Sequence, residues 1–192
     1  MTGEVLGSLV SIESFLQNLG RTVLLRSLRP GLPAVAIERA LLEAGLTALP
    51  ELELVYSWRN GTSTAGVASI DDIQIFPGFY FLSLEDAIAN YRAFVTDSRW
   101  SKGWLPVFAN GGGDFYVVDV GPSGTNSVRH FRIDESEHPV EFSSLGAMLV
   151  TLAHAFRNEV FFVDSNGYLE MDDRVYGNLG AELNPGIDWW GG

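Results

Sequence analysis

The sequence predicts an α+β fold: a mainly antiparallel sheet of about five to six strands packed with helices, and a helical extension at the N-terminus. Three observations predict this class. Apolar residues recur at helical spacing near the N-terminus and again in later segments. Runs of aromatic and β-branched residues lie between those segments. Finally, Asn166-Gly167 separates two short apolar runs, which is the strongest short signal for a β-hairpin.

The N-terminal part of the chain is predicted to be helical. One apolar stripe, interrupted by Gly20, is formed by Leu9, Ile12, Leu16, Leu19 and Val23. Pro30-Gly31-Leu32-Pro33 breaks this pattern and precedes a second helix over residues 34–44. A third, short helix begins at Leu49-Pro50, because proline is favoured in a first turn, and stops at Asn60-Gly61.

From about residue 73 the pattern changes to strands and two further helices. The predicted strands cover residues 73–75, 79–82, 105–109, 115–120, 127–133, 160–163 and 168–171. Ser83 is placed to cap one helix, with Glu85 and Asp86 in its first turn. The other helix spans about residues 144–156, where apolar residues repeat at helical spacing.

Length and composition restrict the class of protein. The chain of 192 residues, 46% hydrophobic, fits one globular domain with an ample core. It has no cysteine, which excludes a disulfide framework, a thiolate metal site and a cysteine nucleophile. No apolar run approaches the roughly 18 residues needed to span a bilayer, and the N-terminus lacks the basic start of a signal peptide. We therefore expect a soluble cytoplasmic protein.

The balance of acidic and basic residues indicates which kinds of partner the protein can bind. Twelve basic and 24 acidic residues give a net charge of −12. Such a charge repels nucleic acid phosphates, so we expect no nucleic acid partner, and the composition predicts no membrane contact. It favours a basic partner through long-range steering, although simple solubility is the preferred explanation of an acidic surface.

The glycine-rich segment before residue 115 is the most conspicuous motif. Gly112, Gly113 and Asp114 are predicted to be structural, since they lie between two strands. A phosphate-binding loop would lie between a strand and a helix. A calcium loop would need further carboxylates at fixed offsets from Asp114, and the sequence has none there. We therefore interpret the motif as a tight antiparallel connection.

Candidate catalytic and metal-binding residues form no recognisable pattern. His130, His138 and His154 lack the spacing of metal ligands. Ser143 and Ser144 precede a helix, where capping explains them better than nucleophilic catalysis. These residues therefore predict neither a metal site nor a serine nucleophile.

Acidic pairs beside tryptophans leave one enzymatic alternative open. Asp71-Asp72, Glu85-Asp86 and Asp172-Asp173 accompany five tryptophans, a combination that glycoside hydrolysis would use. The favourable interaction of acidic side chains with the N-terminal ends of helices explains such pairs more simply. A carbohydrate-active enzyme therefore remains the less favoured alternative.

A series of motifs resembles one known family in order and spacing. The motifs are Pro30-Gly31-Leu32-Pro33, Tyr56-Ser57-Trp58-Arg59-Asn60-Gly61, Phe76-Pro77-Gly78, Phe81-Leu82-Ser83-Leu84-Glu85-Asp86-Ala87, Trp104-Leu105-Pro106-Val107-Phe108, Gly112-Gly113-Asp114 and Phe142-Ser143-Ser144-Leu145. Together they resemble the SUKH superfamily, which includes fungal cell-wall assembly regulators of the Smi/Knr type and many bacterial immunity proteins. The resemblance covers roughly residues 30–172.

The resemblance implies an α+β domain with no catalytic centre and no cofactor. It divides a single domain of residues 1–192 into an N-terminal helical extension (1–29), a matched core (30–172) and a C-terminal tail (173–192). It implies a non-catalytic protein that binds and neutralises a protein toxin in the bacterial cytoplasm. A regulatory scaffold of cell-wall or polysaccharide synthesis is the alternative.

Two segments are predicted to contact the partner. Residues 57–73 are predicted to be a long connection that carries Trp58, Asn60, Asp71 and Asp72. The alternative is that Trp58 packs against the sheet. Trp189-Trp190 near the C-terminus either fold back on the domain or form an exposed contact patch.

Overall fold

A computed structural model describes residues 2–121 and 124–191. Its α-helices are α1 (Thr2–Asn18), α2 (Thr22–Ser27), α3 (Ala34–Glu43), α4 (Pro50–Trp58), α5 (Leu84–Phe94), α6 (Leu145–Arg157) and α7 (Asp173–Leu183). Its strands are β1 (Leu28–Pro30), β2 (Arg59–Thr62), β3 (Gln74–Phe76), β4 (Phe79–Phe81), β5 (Trp104–Ala109), β6 (Phe115–Asp119), β7 (Val128–Phe131), β8 (Val140–Phe142), β9 (Phe161–Val163) and β10 (Leu169–Met171). Two 3-10 turns cover Ile70–Ile73 and Asp188–Gly191.

The central sheet confirms the predicted fold class. It has six strands in the order β3-β4-β5-β6-β7-β8, and every neighbouring pair is antiparallel. The six residues of β5 are all buried, as are the first four of β6. This burial explains their nearly continuous apolar sequences, because both faces of the middle strands are covered.

Different elements cover the two faces of the sheet. On one face, Phe94 of α5 and Trp100 pack against Phe115 and Phe131 with ring centroids 4.8–6.0 Å apart. On the other face, apolar residues of α1, α4 and α6 pack against Phe81 and Phe108. The part of that second face near β7 and β8 is left to the C-terminal segment, and this arrangement positions the site described below.

Helix α1 is an integral part of the core. The predicted stripe is buried at Leu9, Ile12 and Leu16, and α1 packs along α6 and α4. The assignment of Val23 to this stripe was wrong, because Val23 is 44% exposed and belongs to α2. Gly20 adopts a φ of +74° and ends the first helix, so the apolar periodicity does not continue beyond it.

The segment 57–73 is not a continuous loop. Its first part is β2, which pairs antiparallel with β1, so that Leu28 faces Thr62 and Pro30 faces Arg59. Its last part is the 3-10 turn Ile70–Ile73. The sequence signal failed here because each strand is three or four residues long and its partner is distant in the chain.

The C-terminal tail contains a regular helix. Asp172 caps α7, and its carboxylate accepts a hydrogen bond from the Val175 amide at 3.0 Å. The local sequence contains little sign of this helix, because Gly177 and Gly180 lower its intrinsic propensity. Its stability therefore depends on packing against α6 and against the turn Asp188–Gly191.

The glycine-rich segment connects β5 and β6 as predicted. The side-chain oxygen of Asn110 accepts hydrogen bonds from the amides of Gly112 (2.7 Å) and Asp114 (3.0 Å). The Asp114 carboxylate accepts from the Asn110 amide group (2.8 Å) and from the Ile133 backbone amide (2.9 Å). Asp114 therefore joins the turn to the end of β7, which is a structural role.

Within this turn, Gly113→Ala should destabilise the fold by about 1–2 kcal/mol, whereas Gly112→Ala should change stability by less than about 0.5 kcal/mol. Gly113 has a φ of +108°, and a Cβ there would lie 2.8 Å from Ile133 Cδ1. Gly112 has no positive φ, and its Cβ would lie 3.4 Å from the Asn110 side chain. Urea unfolding of both variants measures the difference. Equal losses would contradict the assignment of the strained position to Gly113.

Candidate functional site

A continuous groove lies where the second face of the sheet meets the C-terminal segment. We call it the C-terminal groove. Its inner pocket has a volume of about 310 Å³, and the two open ends measure about 360 and 380 Å³. The hairpin end lies between the β3–β4 turn and β10, and the helix end lies along α7. Asp173 lines all three parts, so they adjoin one another at this residue.

The floor of the inner pocket contains a buried ionic cluster. The side chain of Glu141 is only 2% exposed. Its Oε1 accepts a hydrogen bond from Arg132 Nη2 at 3.0 Å, and its Oε2 accepts one from the Tyr116 hydroxyl at 3.1 Å. His130 Nδ1 lies 3.6 Å from Oε1. A buried carboxylate is tolerated here because a charge and a hydroxyl group satisfy it.

The sheet register brings these side chains together. Tyr116 of β6 stands directly opposite His130 of β7, and their rings stack with centroids 4.6 Å apart. Phe79 of β4 packs edge-on against both rings, at 4.9 and 5.2 Å. The register shift between β7 and β8 lies beside Glu141. Cross-strand pairing therefore determines which side chains form the floor of the pocket, as expected for neighbours on one face of a sheet.

Burial affects the tyrosines that line the pocket. It raises the pKa of Tyr116 well above the usual value, and the nearby charge of Glu141 raises it further. Burial also raises the pKa of Tyr176, again with a contribution from Glu141. Both phenols therefore stay protonated at neutral pH, and Tyr116 remains a hydrogen-bond donor to Glu141.

Trp190 and Trp189 occupy different environments at the outer wall. Trp190 packs on Gly180, where a Cβ would lie 2.3 Å from the indole, and against Phe142 with centroids 5.5 Å apart. Its Nε1 donates a hydrogen bond to the backbone oxygen of Glu141. Trp189 is 42% exposed, and the Arg132 guanidinium lies 4.8 Å from its ring centroid. Trp190 therefore fixes the outer wall to the rest of the domain, and Trp189 forms the solvent-exposed part of that wall.

Arg21 joins the two sides of the hairpin end. This buried side chain donates from Nη1 to the Gly167 oxygen at 3.2 Å and from Nη2 to the Asp71 oxygen. Burial lowers its pKa, while the charges of Asp72 and Asp71 oppose that change. Arg21 thereby holds the Ile70–Ile73 turn against the β9–β10 hairpin.

The structure brings three of the predicted contact residues to the groove. Asp71 lines the hairpin end, while Trp189 and Trp190 line the inner pocket and the helix end. The Asp71 carboxylate also accepts hydrogen bonds from Ser69 Oγ (2.8 Å) and Gln74 Nε2 (2.9 Å). Asp72 follows in the same 3-10 turn but does not line the groove.

Trp58 and Asn60 lie away from the groove and make internal contacts. Trp58 stacks near Phe81 at 6.4 Å, and its Nε1 donates to Glu13 at 3.0 Å. Asn60 is 6% exposed, and its side-chain oxygen accepts from the Leu84 amide at 2.9 Å. These contacts place Trp58 against the sheet and give Asn60 a role at the start of α5.

Sequence reasoning missed most of the residues of the groove. The missed residues include Tyr116, Arg132, Glu141, Glu170 and Tyr176. His130 was considered only as a metal ligand, and Asp173 only as a member of an acidic pair. One available signal was a charged residue flanked by apolar residues, as in Val140-Glu141-Phe142. In the described ranges, no group of three or more histidine, aspartate or glutamate side chains is arranged to hold a metal ion.

A family model described as SMI1 / KNR4 family (SUKH-1) matches residues 35–151, more than half of the chain. The chain belongs to the SMI1 / KNR4 family (SUKH-1). A search of curated proteins found no match. The SUKH-1 family includes immunity proteins and cell-wall regulators, and it is generally non-enzymatic. Between residues 2 and 121 and between 124 and 191, no helix has the length and apolar character needed to cross a membrane.

The SUKH-1 match divides the groove into two parts. The floor, with Phe79, Tyr116, His130, Arg132 and Glu141, lies inside residues 35–151. The outer wall, from the β9–β10 hairpin through α7 to the two tryptophans, lies outside the match, as does Arg21. In this member of the family, the C-terminal segment thus builds a groove onto the family core.

Proposed function

We propose that this protein is a non-catalytic bacterial immunity protein that binds a basic protein toxin in the cytoplasm and neutralises it. The observation that carries the proposal is the C-terminal groove, which combines exposed carboxylates with aromatic side chains on a SUKH-1 core. Aromatic residues dominate binding energy in protein interfaces, and complementary charge increases the association rate.

The charge of the groove favours a basic partner. Four carboxylates line it, from Asp71, Glu141, Glu170 and Asp173. The two guanidinium groups along it belong to Arg132 and Arg174, and Arg132 is already paired with Glu135 and Glu141. The net charge of −12 on the whole chain would add long-range attraction.

The mechanism is stoichiometric occlusion of the toxin. A preformed surface covers the active face of the toxin, so no bond is made or broken by the immunity protein. The exposed indole of Trp189 and the ring of Tyr168, which is also exposed, supply apolar contact area. Carboxylates at the rim provide orientation and rate rather than most of the affinity.

The proposal is tested with the toxin encoded next to this gene. Co-expression should protect cells, and the purified proteins should form a one-to-one complex. The double change Glu170→Gln, Asp173→Asn should slow association by about tenfold. The matched control is Glu38→Gln, Glu43→Gln, which removes the same charge from the exposed side of α3. Equal effects of the two pairs would remove the groove from the interface.

Salt provides a second test of the same interface. Raising the ionic strength from about 0.1 M to about 1 M shortens the screening distance from about 10 Å to about 3 Å. We expect the association rate in stopped-flow measurements to fall by at least about tenfold, with a smaller change in dissociation. An association rate that does not depend on salt would leave the negative charge with a solubility role only.

A regulatory scaffold of cell-wall synthesis is the second candidate, because the SUKH-1 family also contains cell-wall regulators. The two candidates differ in genetic context and in phenotype. A large secreted toxin gene immediately upstream and protection on co-expression support immunity. A position among envelope genes, with altered wall composition on deletion, would support regulation instead.

A further inference from the structure

We infer that the inner pocket of the C-terminal groove receives a single cationic side chain of the partner, and that this side chain is an arginine. This inference rests on the proposed function, because it names the group by which the basic partner is held. The aromatic lining of the pocket and the charges around it each support the inference.

The walls of the pocket present aromatic surface to an entering side chain. Its volume is about 310 Å³, and its aromatic lining consists of Phe76, Phe79, Tyr116, Phe161, Tyr176, Trp189 and Trp190. Aromatic faces attract cations, and tryptophan does so most strongly. The long apolar stem of an arginine would pack on the same rings while its head reaches the floor.

The charges around the pocket favour a cation. Glu141 lies at the floor and Asp173 at the mouth. Arg132 is held to one side by Glu141 at 3.0 Å and by Glu135 at 3.3 Å. The two carboxylates that line the pocket, Glu141 and Asp173, outnumber its single guanidinium, so the pocket has an excess of negative charge.

One polar atom in the pocket wall is left without a partner. The Nε2 of His130 is buried and makes no hydrogen bond in the part of the chain that the structure describes. His130 is fixed between Tyr116 and Phe79, and its Nδ1 faces Glu141. This nitrogen has almost no accessible surface, so a side chain entering the pocket meets the His130 ring rather than Nε2 itself.

Arginine fits this pocket better than lysine. Its planar group donates five hydrogen bonds and stacks on aromatic rings, whereas an ammonium group is compact and strongly hydrated. The pocket already contains one contact between a guanidinium and an aromatic ring, because the Arg132 guanidinium lies 4.8 Å from the centre of the Trp189 ring. A second guanidinium would meet a related surface formed by Tyr176 and Trp190, whose rings are 5.7 Å apart and nearly perpendicular.

The experiment uses N-acetyl-arginine methylamide as a probe and follows the indole N–H signals of the full chain by NMR. We expect saturable shifts of the Trp189 and Trp190 signals at millimolar probe. The signals of Trp100 and Trp104 on the opposite sheet face serve as internal controls and should not move. The citrulline analogue has nearly the same shape without the charge, and it should bind at least about tenfold more weakly.

Two variants connect the probe to the partner. Trp189→Ala and Asp173→Asn should each weaken both probe binding and toxin binding by about tenfold, while Glu38→Gln should change neither. Both side chains are at the surface, so the variants should fold normally. Equal binding of the citrulline and arginine probes would overturn the inference, as would full toxin affinity in both variants.

The outcome also separates this inference from the proposed function. If the chain protects against the toxin but both pocket variants keep full affinity, immunity stands and the arginine pocket is wrong. If the probe binds with the expected selectivity but the toxin does not bind, the immunity function fails. The inference that a toxin arginine occupies the pocket then fails with it.

Discussion

Gly61→Ala is expected to destabilise the protein by about 2–5 kcal/mol, a large effect for the addition of one methyl group. Gly61 has a φ of +74°, which an alanine tolerates poorly. A Cβ at this position would also lie 2.2 Å from the Ser83 nitrogen and 2.5 Å from the Leu82 carbonyl carbon. These are backbone atoms at the start of α5, so they cannot move aside as a flexible side chain would.

Gly66→Ala is the matched control for this prediction. Gly66 has nearly the same φ of +75°, but no heavy atom lies within 4 Å of the Cβ position. Its substitution should therefore cost only the backbone strain, about 1 kcal/mol. Urea denaturation of the two variants measures the difference. Similar losses would mean that β2 does not approach α5 as closely as described.

Trp190→Ala is expected to cost about 2–4 kcal/mol, whereas Trp189→Ala should cost less than about 1 kcal/mol. The Trp190 indole fills the space above Gly180, contacts Phe142 and Tyr176, and donates a hydrogen bond to the Glu141 backbone oxygen. Removing it leaves a cavity and an unpaired acceptor. Trp189 loses mainly an exposed contact with Arg132.

Thermal and urea unfolding of the two tryptophan variants give the comparison directly. The expected order for toxin binding is different, because Trp189→Ala should weaken binding in a protein of normal stability. Trp190→Ala should weaken binding only through loss of the groove wall. If Trp190→Ala were as stable as the unchanged protein, the C-terminal turn would not be docked on Gly180, and the inner pocket would lose its outer wall.

Local patterns account for the parts of the fold that the sequence predicted. The strands at residues 105–109 and 115–120, and the hairpin around Asn166-Gly167, were recognised because turn and strand signals lie within a few residues of each other. The β1–β2 pair was missed because neither short strand is recognisable without its distant partner. Helix α7 was missed because its glycines weaken the helical signal, and its stability comes from packing.

The structure separates the predicted contact residues into a group that lines the groove and a group with internal contacts, and their contact with a partner stays a prediction. Asp71, Trp189 and Trp190 line the groove, but Trp58 and Asn60 have internal partners in Glu13 and at the start of α5. Nothing in a local window distinguishes these two groups. Exposure depends on what packs against a residue, and both partners are more than 20 residues away.

The sequence by itself determined the α+β class, the positions of five of the six central strands along the chain, the place of the Gly112-Gly113-Asp114 turn between two strands and the family, because each rests on local periodicity or on motifs in fixed order. The sixth strand, β8, was not predicted. The existence and the lining of the C-terminal groove were decided only by the tertiary structure. Arg21 reaches Asp71 and Gly167 across separations of 50 and 146 residues, and Trp190 reaches Glu141 across 49. Such contacts form only when packing brings distant segments together, so no local pattern in the chain records them.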